Sequence, residues 1–361
     1  MKTKKFLASI LAGITAFGIY FADAEVSAAS REEIATIQIQ KGGSNFKYWE
    51  KNSAPLSTLK SYVKDVTDKR SKNFIPVEDR IAVFDMDGTF YCETAPTYSV
   101  YMFVLYTILE DPPEKVSDEL REEAKVWRES LLSKGITPEV AAGIGRCSWT
   151  IFEDMTDEEY YSRVKKFMTT QNVVGLSNLK YGEGFYLPMV EIISYLDAND
   201  FTIYIITGTE RNMTRILTED VLPVKKNHII GYDIPYKWDN SGGEKYFAEG
   251  DRILMGISQE EGSHSNHTHI KKIFSIKREI GKQPVLAFGN SKGDYDMLNY
   301  TTIGNKYKSA AFIVLCDDIE RELGNLPKAE NEKALAKKHG WNTISMHDDF
   351  KTIYGDNVKK I

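Results

Sequence analysis

The chain has 361 residues, 42% hydrophobic and 27% charged, with a formal net charge of −6. That is ordinary globular composition, enough to bury a sizeable core in one large domain or in one domain with a smaller insert. The acidic balance excludes a broad basic surface, and with it wholesale nucleic-acid binding.

Met1-Lys2-Thr3-Lys4-Lys5 is a short basic segment, and Phe6 to Phe21 is apolar and uncharged. Ala22-Asp23-Ala24 and Val26-Ser27-Ala28 each place small residues at the spacing signal peptidase accepts. This three-part pattern reads as a signal peptide over 1–28, so the mature chain is expected to be exported, periplasmic or extracellular. The rival reading is an uncleaved anchor, but the apolar run is shorter than the roughly 20 residues a spanning helix needs. No later segment is long and apolar enough to span a bilayer. Cys92, Cys147 and Cys316 are few, odd in number and far apart, which is neither a disulfide framework nor a metal-binding CxxC.

Residues 31 to about 54 are mixed and polar, with Lys41-Gly42-Gly43-Ser44-Asn45 reading as slack chain. Leu56, Tyr62, Val63 and Val66 have helical spacing and predict a helix from Ser57 to Asp68. Ile81-Ala82-Val83-Phe84 is a short apolar run that reads as a buried strand entering Asp85. Similar runs follow at 201–206, 284–288 and 310–315, with a weaker one at 342–346. Helical patterns at 186–199, 210–222 and 269–280 separate them. Strand and helix in alternation predict an α/β fold, a Rossmann-like parallel sheet with helices on both faces.

Residues 96–180 are too long for a crossover. They carry helix-like stretches at 98–109, 117–133, 138–144 and 157–169. They predict an inserted α-helical cap that divides the core into 29–95 and 181–361. No internal repeat or low-complexity tract is present.

Four places carry chemistry. Asp85-Met86-Asp87-Gly88-Thr89 follows the first strand, where ligands of open α/β sheets bind. One carboxylate there can attack and hold a cation, while the other donates and accepts a proton. Gly88 lets the backbone turn so that N–H groups can face an anion. The bland alternative is a strand ending in a polar turn. Thr207-Gly208-Thr209 ends the second strand with a hydroxyl and a helix start, either a phosphoryl site or an ordinary turn. Lys272 lies near the start of the helix leading into the third strand, with Lys271 as a competitor for the same role. In Gly289-Asn290-Ser291-Lys292-Gly293-Asp294, Asn290 and Asp294 are oxygen ligands suited to a hard cation, or else turn and cap residues.

In order and position these four places resemble the motifs of the haloacid-dehalogenase superfamily of phosphohydrolases, from about Val77 to Asp296. The helical insert is similar to that of the phosphoserine-phosphatase branch. Ile75-Pro76, Trp341 and Ser345-Met346 resemble exported bacterial relatives of phosphorylcholine phosphatase. The resemblance implies an Mg²⁺-dependent hydrolysis of a small phosphomonoester through an aspartyl-phosphate. Asp85 would be the nucleophile, Asp87 the acid and base. Thr207, Gly208, Lys272 and the backbone around Met86 and Gly88 would hold the phosphoryl oxygens. The implied metal ligands are Asp85, Asp87, Asn290 and Asp294. The chain departs from the pattern at Asn290, where many members carry Asp.

Selectivity would fall to the insert, rich in Tyr98, Tyr101, Phe103, Trp127, Trp149, Tyr160 and Tyr161, and to Glu93 beside the nucleophile loop. A carboxylate with aromatic rings suits a cationic group such as choline or an amine, whereas packing of the insert's own core explains most of these rings. Two further rivals remain. Gly289-Asn290-Ser291-Lys292-Gly293 also reads as a serine-hydrolase elbow at Ser291, with Asp317 or Asp318 and His339 or His347 following in order. The other is an exported phospho-ligand binding protein that has lost its chemistry with Asn290.

Overall fold

The computed structural model describes residues 28–93, 97–243, 245–256 and 268–361, with the backbone alone at Trp149. The expected signal sequence up to residue 27 lies outside the described residues. Among those that are described, no helix is long and apolar enough to cross a membrane.

Six strands form the main sheet: β1 (Ile81–Phe84), β3 (Thr202–Glu210), β4 (Ile229–Tyr232), β7 (Leu286–Gly289), β8 (Ala310–Leu315) and β9 (Asn342–Ser345). Their spatial order is β4-β3-β1-β7-β8-β9, and every neighbouring pair is parallel. The chain leaves β1, builds outward through β3 and β4, then returns to the other flank of β1 with β7. β1 is therefore the switch point, where a crevice opens beyond the carboxyl ends of the strands. Asp85 is the first residue past that end.

The burial follows from the pleat. Ile81 and Val83 point into one core, and Ala82 and Phe84 into the other. Phe84, Phe288 and Phe312 stand in register across β1, β7 and β8. Their rings stack, with centroids 4.3 Å apart for Phe84 and Phe288 and 5.0 Å apart for Phe288 and Phe312. This ladder lies one residue below Asp85 and below Gly289-Asn290, so it fixes the relative height of the two loops.

The leading helix runs Ala54–Thr67, with Pro55 in its first turn and Ser53 capping the Leu56 N–H. The stretch expected to be slack is a tight turn. The Gly43 N–H donates to Gln40 at 2.7 Å, and the Asn45 side chain bridges residues 38 and 40. All three cysteines are free thiols.

Between β1 and β3 lie helices Ser99–Leu109, Asp118–Lys134, Pro138–Thr150 and Asp157–Thr170. Phe103, Phe152, Tyr160 and Phe167 form their aromatic core. The insert is not purely helical. β2 (Met155–Thr156) pairs antiparallel with β6 (Arg252–Met255), which pairs with β5 (Tyr236–Asp239). A hairpin that follows β4 thus completes the body formed between β1 and β3.

Glu210, the last residue of β3, ties this insert to the core. Its carboxylate caps helix Arg211–Thr218 through the Asn212 and Met213 N–H groups, at 2.8 and 2.6 Å, and accepts from the buried Tyr160 hydroxyl at 2.9 Å. Burial outweighs these bonds and pushes Glu210 up to about 7. The unfolded carboxyl ionises near its ordinary value of about 4.3. Between that value and about 7 the folded chain holds a proton that the unfolded chain has released. Stability from this group is full at low pH and is lost as pH rises through about 7. We expect Glu210→Gln to remove a pH-dependent term of about 3 kcal/mol. Denaturant unfolding of wild type and variant at pH 5 and pH 8 measures it, and parallel losses in both proteins would contradict it.

Candidate active site

The elements meet where the topology reverses. The Asp85 backbone N–H donates to the Phe288 carbonyl at 2.9 Å, which locks the Asp85–Thr89 loop to β7. Lys272 lies in the short helix Ile270–Ser275, and its side chain is only 2% exposed. Its Nζ donates to Asp85 Oδ1 at 2.5 Å, to Asp294 Oδ1 at 2.7 Å and to the Ile206 carbonyl at 2.6 Å. All three ammonium donors are thus used, and strands β1, β3 and the 289–294 loop are joined by one charge. Lys271 is exposed, so the helix presents Lys272 to the crevice.

Asp294 shapes its own loop. Its Oδ2 accepts the N–H groups of Asn290 and Ser291 at 3.0 and 3.1 Å. A side chain at Gly289 would meet the Asp294 Cβ at 2.6 Å, which only glycine avoids. Both Asp294 oxygens are therefore engaged in holding the site together. Gly88 has φ +78°, and a Cβ there would lie 1.9 Å from Asn290 Nδ2, so the two motif loops touch through the glycine. The Gly88 N–H already donates to the Tyr91 carbonyl at 2.7 Å, and Met86 is buried, its carbonyl accepting from Thr89.

The second carboxyl has a different environment. Asp87 Oδ2 accepts from the Thr209 hydroxyl at 2.7 Å, while Oδ1 is buried with no partner. Burial pushes Asp87 well above the usual carboxylate range, and the Asp85 charge adds to this. Asp85 is raised as well, by burial and by Asp294, with Lys272 opposing. Lys272 stays charged, because Asp294 and Asp85 outweigh the effect of its burial. The result is two carboxyl groups of unequal character, one held by an ammonium and one held by a hydroxyl.

Asp85, Asp87, Gly208, Thr209, Lys272 and Asp294 line a cavity of about 750 Å³. Thr207 does not. It is fully buried, and its hydroxyl accepts the Thr209 N–H at 3.0 Å. The pleat bulges between Ile206 and Glu210, which brings Thr209 to the cavity in its place. Thr209 lies two residues beyond Thr207 on the same strand, and that spacing was the available signal for it.

Tyr98 and Tyr101 line the cavity, whereas Phe103 and Tyr160 are core and Tyr161 faces a different groove. The Trp127 ring packs on Gly143. The Trp149 side chain lies outside the described residues. Glu93 also lines the cavity but is not a free anion, because Lys328 Nζ lies 2.6 Å from its Oε1. Ser291 donates to Asp294 and accepts from Gly293, and among the described residues no imidazole hydrogen-bonds to it. His339 stacks on Trp341, and His347 faces Asp348. Among the described residues Ser291 therefore has no base.

Among the described residues, no group of three or more His, Cys, Asp or Glu side chains is arranged to hold a metal ion. Among the described residues, the oxygens placed to face a cation are those of Asp85, which also accept from Lys272 and Thr89, the Asp87 carbonyl and the Asn290 amide. The Asn290 Nδ2 is buried without a partner, and rotating the amide would present its oxygen there instead. Among the described residues, five carboxyl groups line the cavity (Asp85, Asp87, Glu93, Asp294 and Glu332) against three ammonium groups (Lys272, Lys292 and Lys328). Hard oxygen donors in a site short of positive charge fit a divalent cation.

A scan against protein-family models finds no match to this sequence, and a search of curated proteins finds none either. Solved structures that resemble it include a functionally unknown protein from Anaerococcus prevotii, with TM-score 0.48 and 15% identity, over 82% of this chain and 92% of that one. Cytosolic 5'-nucleotidase IIIB bound to cytidine aligns with TM-score 0.42 and 12% identity, over 80% and 84% of the two chains. A phosphoserine phosphohydrolase-like protein from Francisella tularensis aligns with TM-score 0.38 and 14% identity, over 73% and 94%.

Proposed function

We propose that the chain is a phosphomonoesterase of the haloacid-dehalogenase type, with Asp85 as nucleophile, acting outside the cytoplasm on a small phosphate ester. One observation carries the reading: Asp85, Asp87 and the Lys272 ammonium converge at the switch point of a parallel sheet, with Asp294 holding the lysine in place.

Phosphate esters resist attack because their charge repels nucleophiles, so a catalyst must supply positive charge and alignment. Lys272 fixes Asp85 Oδ1, which leaves Oδ2, with the Thr89 hydroxyl at 3.4 Å, to approach phosphorus. Asp87 retains a proton because it is buried, and it can pass that proton to the departing alkoxide as the P–O bond breaks. The same group, now a carboxylate, then takes a proton from the water that opens the aspartyl-phosphate. Gly208 and Thr209 bound the space beside the reacting oxygens. A magnesium ion held by Asp85, the Asp87 carbonyl and Asn290 would offset phosphate charge in this carboxylate-rich cavity.

Purified protein should release phosphate from a chromogenic aryl phosphate with Mg²⁺. EDTA should suppress turnover and added Mg²⁺ restore it. Activity indifferent to chelation would remove the metal from the reading, and no hydrolysis of any ester in a broad panel would remove the reading itself. Asp87→Asn should slow alkyl phosphates about 10²–10⁴-fold and aryl phosphates much less, since a phenolate needs little protonation. Equal losses on both would deny Asp87 the role of acid.

A further inference from the structure

Helix Leu326–His339 brings two side chains into the cavity that the proposed phosphoryl chemistry does not use. Lys328 and Glu332 lie one turn apart on it, and both line the cavity. The Asn325 side chain caps the helix by accepting the Lys328 N–H at 3.0 Å, which fixes where Lys328 starts. Lys328 Nζ lies 2.6 Å from Glu93 Oε1, and the two side chains keep 26% and 14% of their surface exposed. Glu332 is buried, and its Oε2 accepts from the Tyr295 hydroxyl. Among the described residues, the second oxygen of each carboxylate and two of the three ammonium N–H groups have no hydrogen-bond partner.

We propose that Glu93, Lys328 and Glu332 form a subsite for adjacent hydroxyl groups on the substrate's leaving alcohol, the vicinal diol of a sugar; this deepens the phosphatase reading and rests on it. The wall presents acceptor, donor, acceptor in sequence. Neighbouring hydroxyls match that pattern, because each can donate to a carboxylate while accepting from the ammonium between. A quaternary ammonium matches it poorly: it has no donor, and the Glu93 charge is already met by Lys328. Tyr98 and Tyr101 stand on the same cavity and give ring faces for the C–H face of a sugar. About 750 Å³ exceeds what a phosphoryl group with a two-carbon alcohol would fill. A free sugar phosphate and a nucleoside 5′-monophosphate both carry the diol.

The test compares kcat/KM for a ribonucleoside 5′-monophosphate and its 2′,3′-dideoxy counterpart, and for glucose 6-phosphate and choline phosphate, in wild type, Lys328→Met and Glu332→Gln. Calorimetric binding of the same compounds to Asp85→Asn runs beside it, so that the result does not depend on turnover. The diol compound of each pair should be preferred by about tenfold or more, and each substitution should shrink that ratio by about tenfold. The nucleotide arm and the glucose arm show which source of the diol fits. Ratios within twofold of unity in turnover and in binding, or ratios unchanged by Lys328→Met, would overturn the subsite. If nothing is turned over yet binding still discriminates, the phosphatase reading fails and the subsite stands.

Discussion

Asp85→Asn should leave a folded protein that turns over phosphate esters at least about 10⁴-fold more slowly than wild type. The amide keeps an oxygen for the Lys272 contact but has no lone pair basic enough to attack phosphorus. Folding should survive, because burial already disfavours the Asp85 charge and a neutral isostere relieves that cost. Phosphate release and thermal melting measured on the same preparation separate the two effects. A folded variant that keeps more than about one per cent of activity would assign the nucleophile elsewhere.

Lys272→Met should act on stability as strongly as on rate. The ammonium is almost wholly buried between two carboxylates, and methionine matches its length without its charge. Removing one partner leaves Asp85 and Asp294 desolvated beside each other, a loss of about 3–5 kcal/mol. The double variant Asp85→Asn with Lys272→Met should recover part of that loss, because one of the stranded charges has gone. Denaturant midpoints of the two single variants and the double variant close the cycle. A single-variant loss under about 1 kcal/mol would mean that the ammonium is not what holds the crevice shut.

How much of this was legible in the sequence varied with how locally each feature is encoded. The Asp85 to Thr89 segment was readable because a buried tetrapeptide and two carboxylates lie within one turn of chain. β8 was readable as an unbroken apolar run. Lys272 could be chosen over Lys271 only as a guess, since helix phase decides which of two adjacent lysines is buried. Helix Leu326–His339 went unread for a physical reason: its inward residues are Ala329, Glu332 and Ala336, so no large apolar side chain marks the stripe. Lys328 and Glu332 therefore look like ordinary solvated charges. β4 and the β5–β6 hairpin are four-residue strands, too short for alternation to stand out. Thr209 replaced Thr207 at the cavity because of a bulge that sequence periodicity does not encode.

The three-stranded sheet joins chain from either side of β3 and β4. Met155 and Thr156 are paired with Met255 and Leu254, about a hundred positions downstream. Neither ribbon can peel away without exposing the other's amides, so this small sheet should open as one unit. Deuterium uptake at these four positions should then rise in concert, and a deletion confined to either ribbon should loosen both.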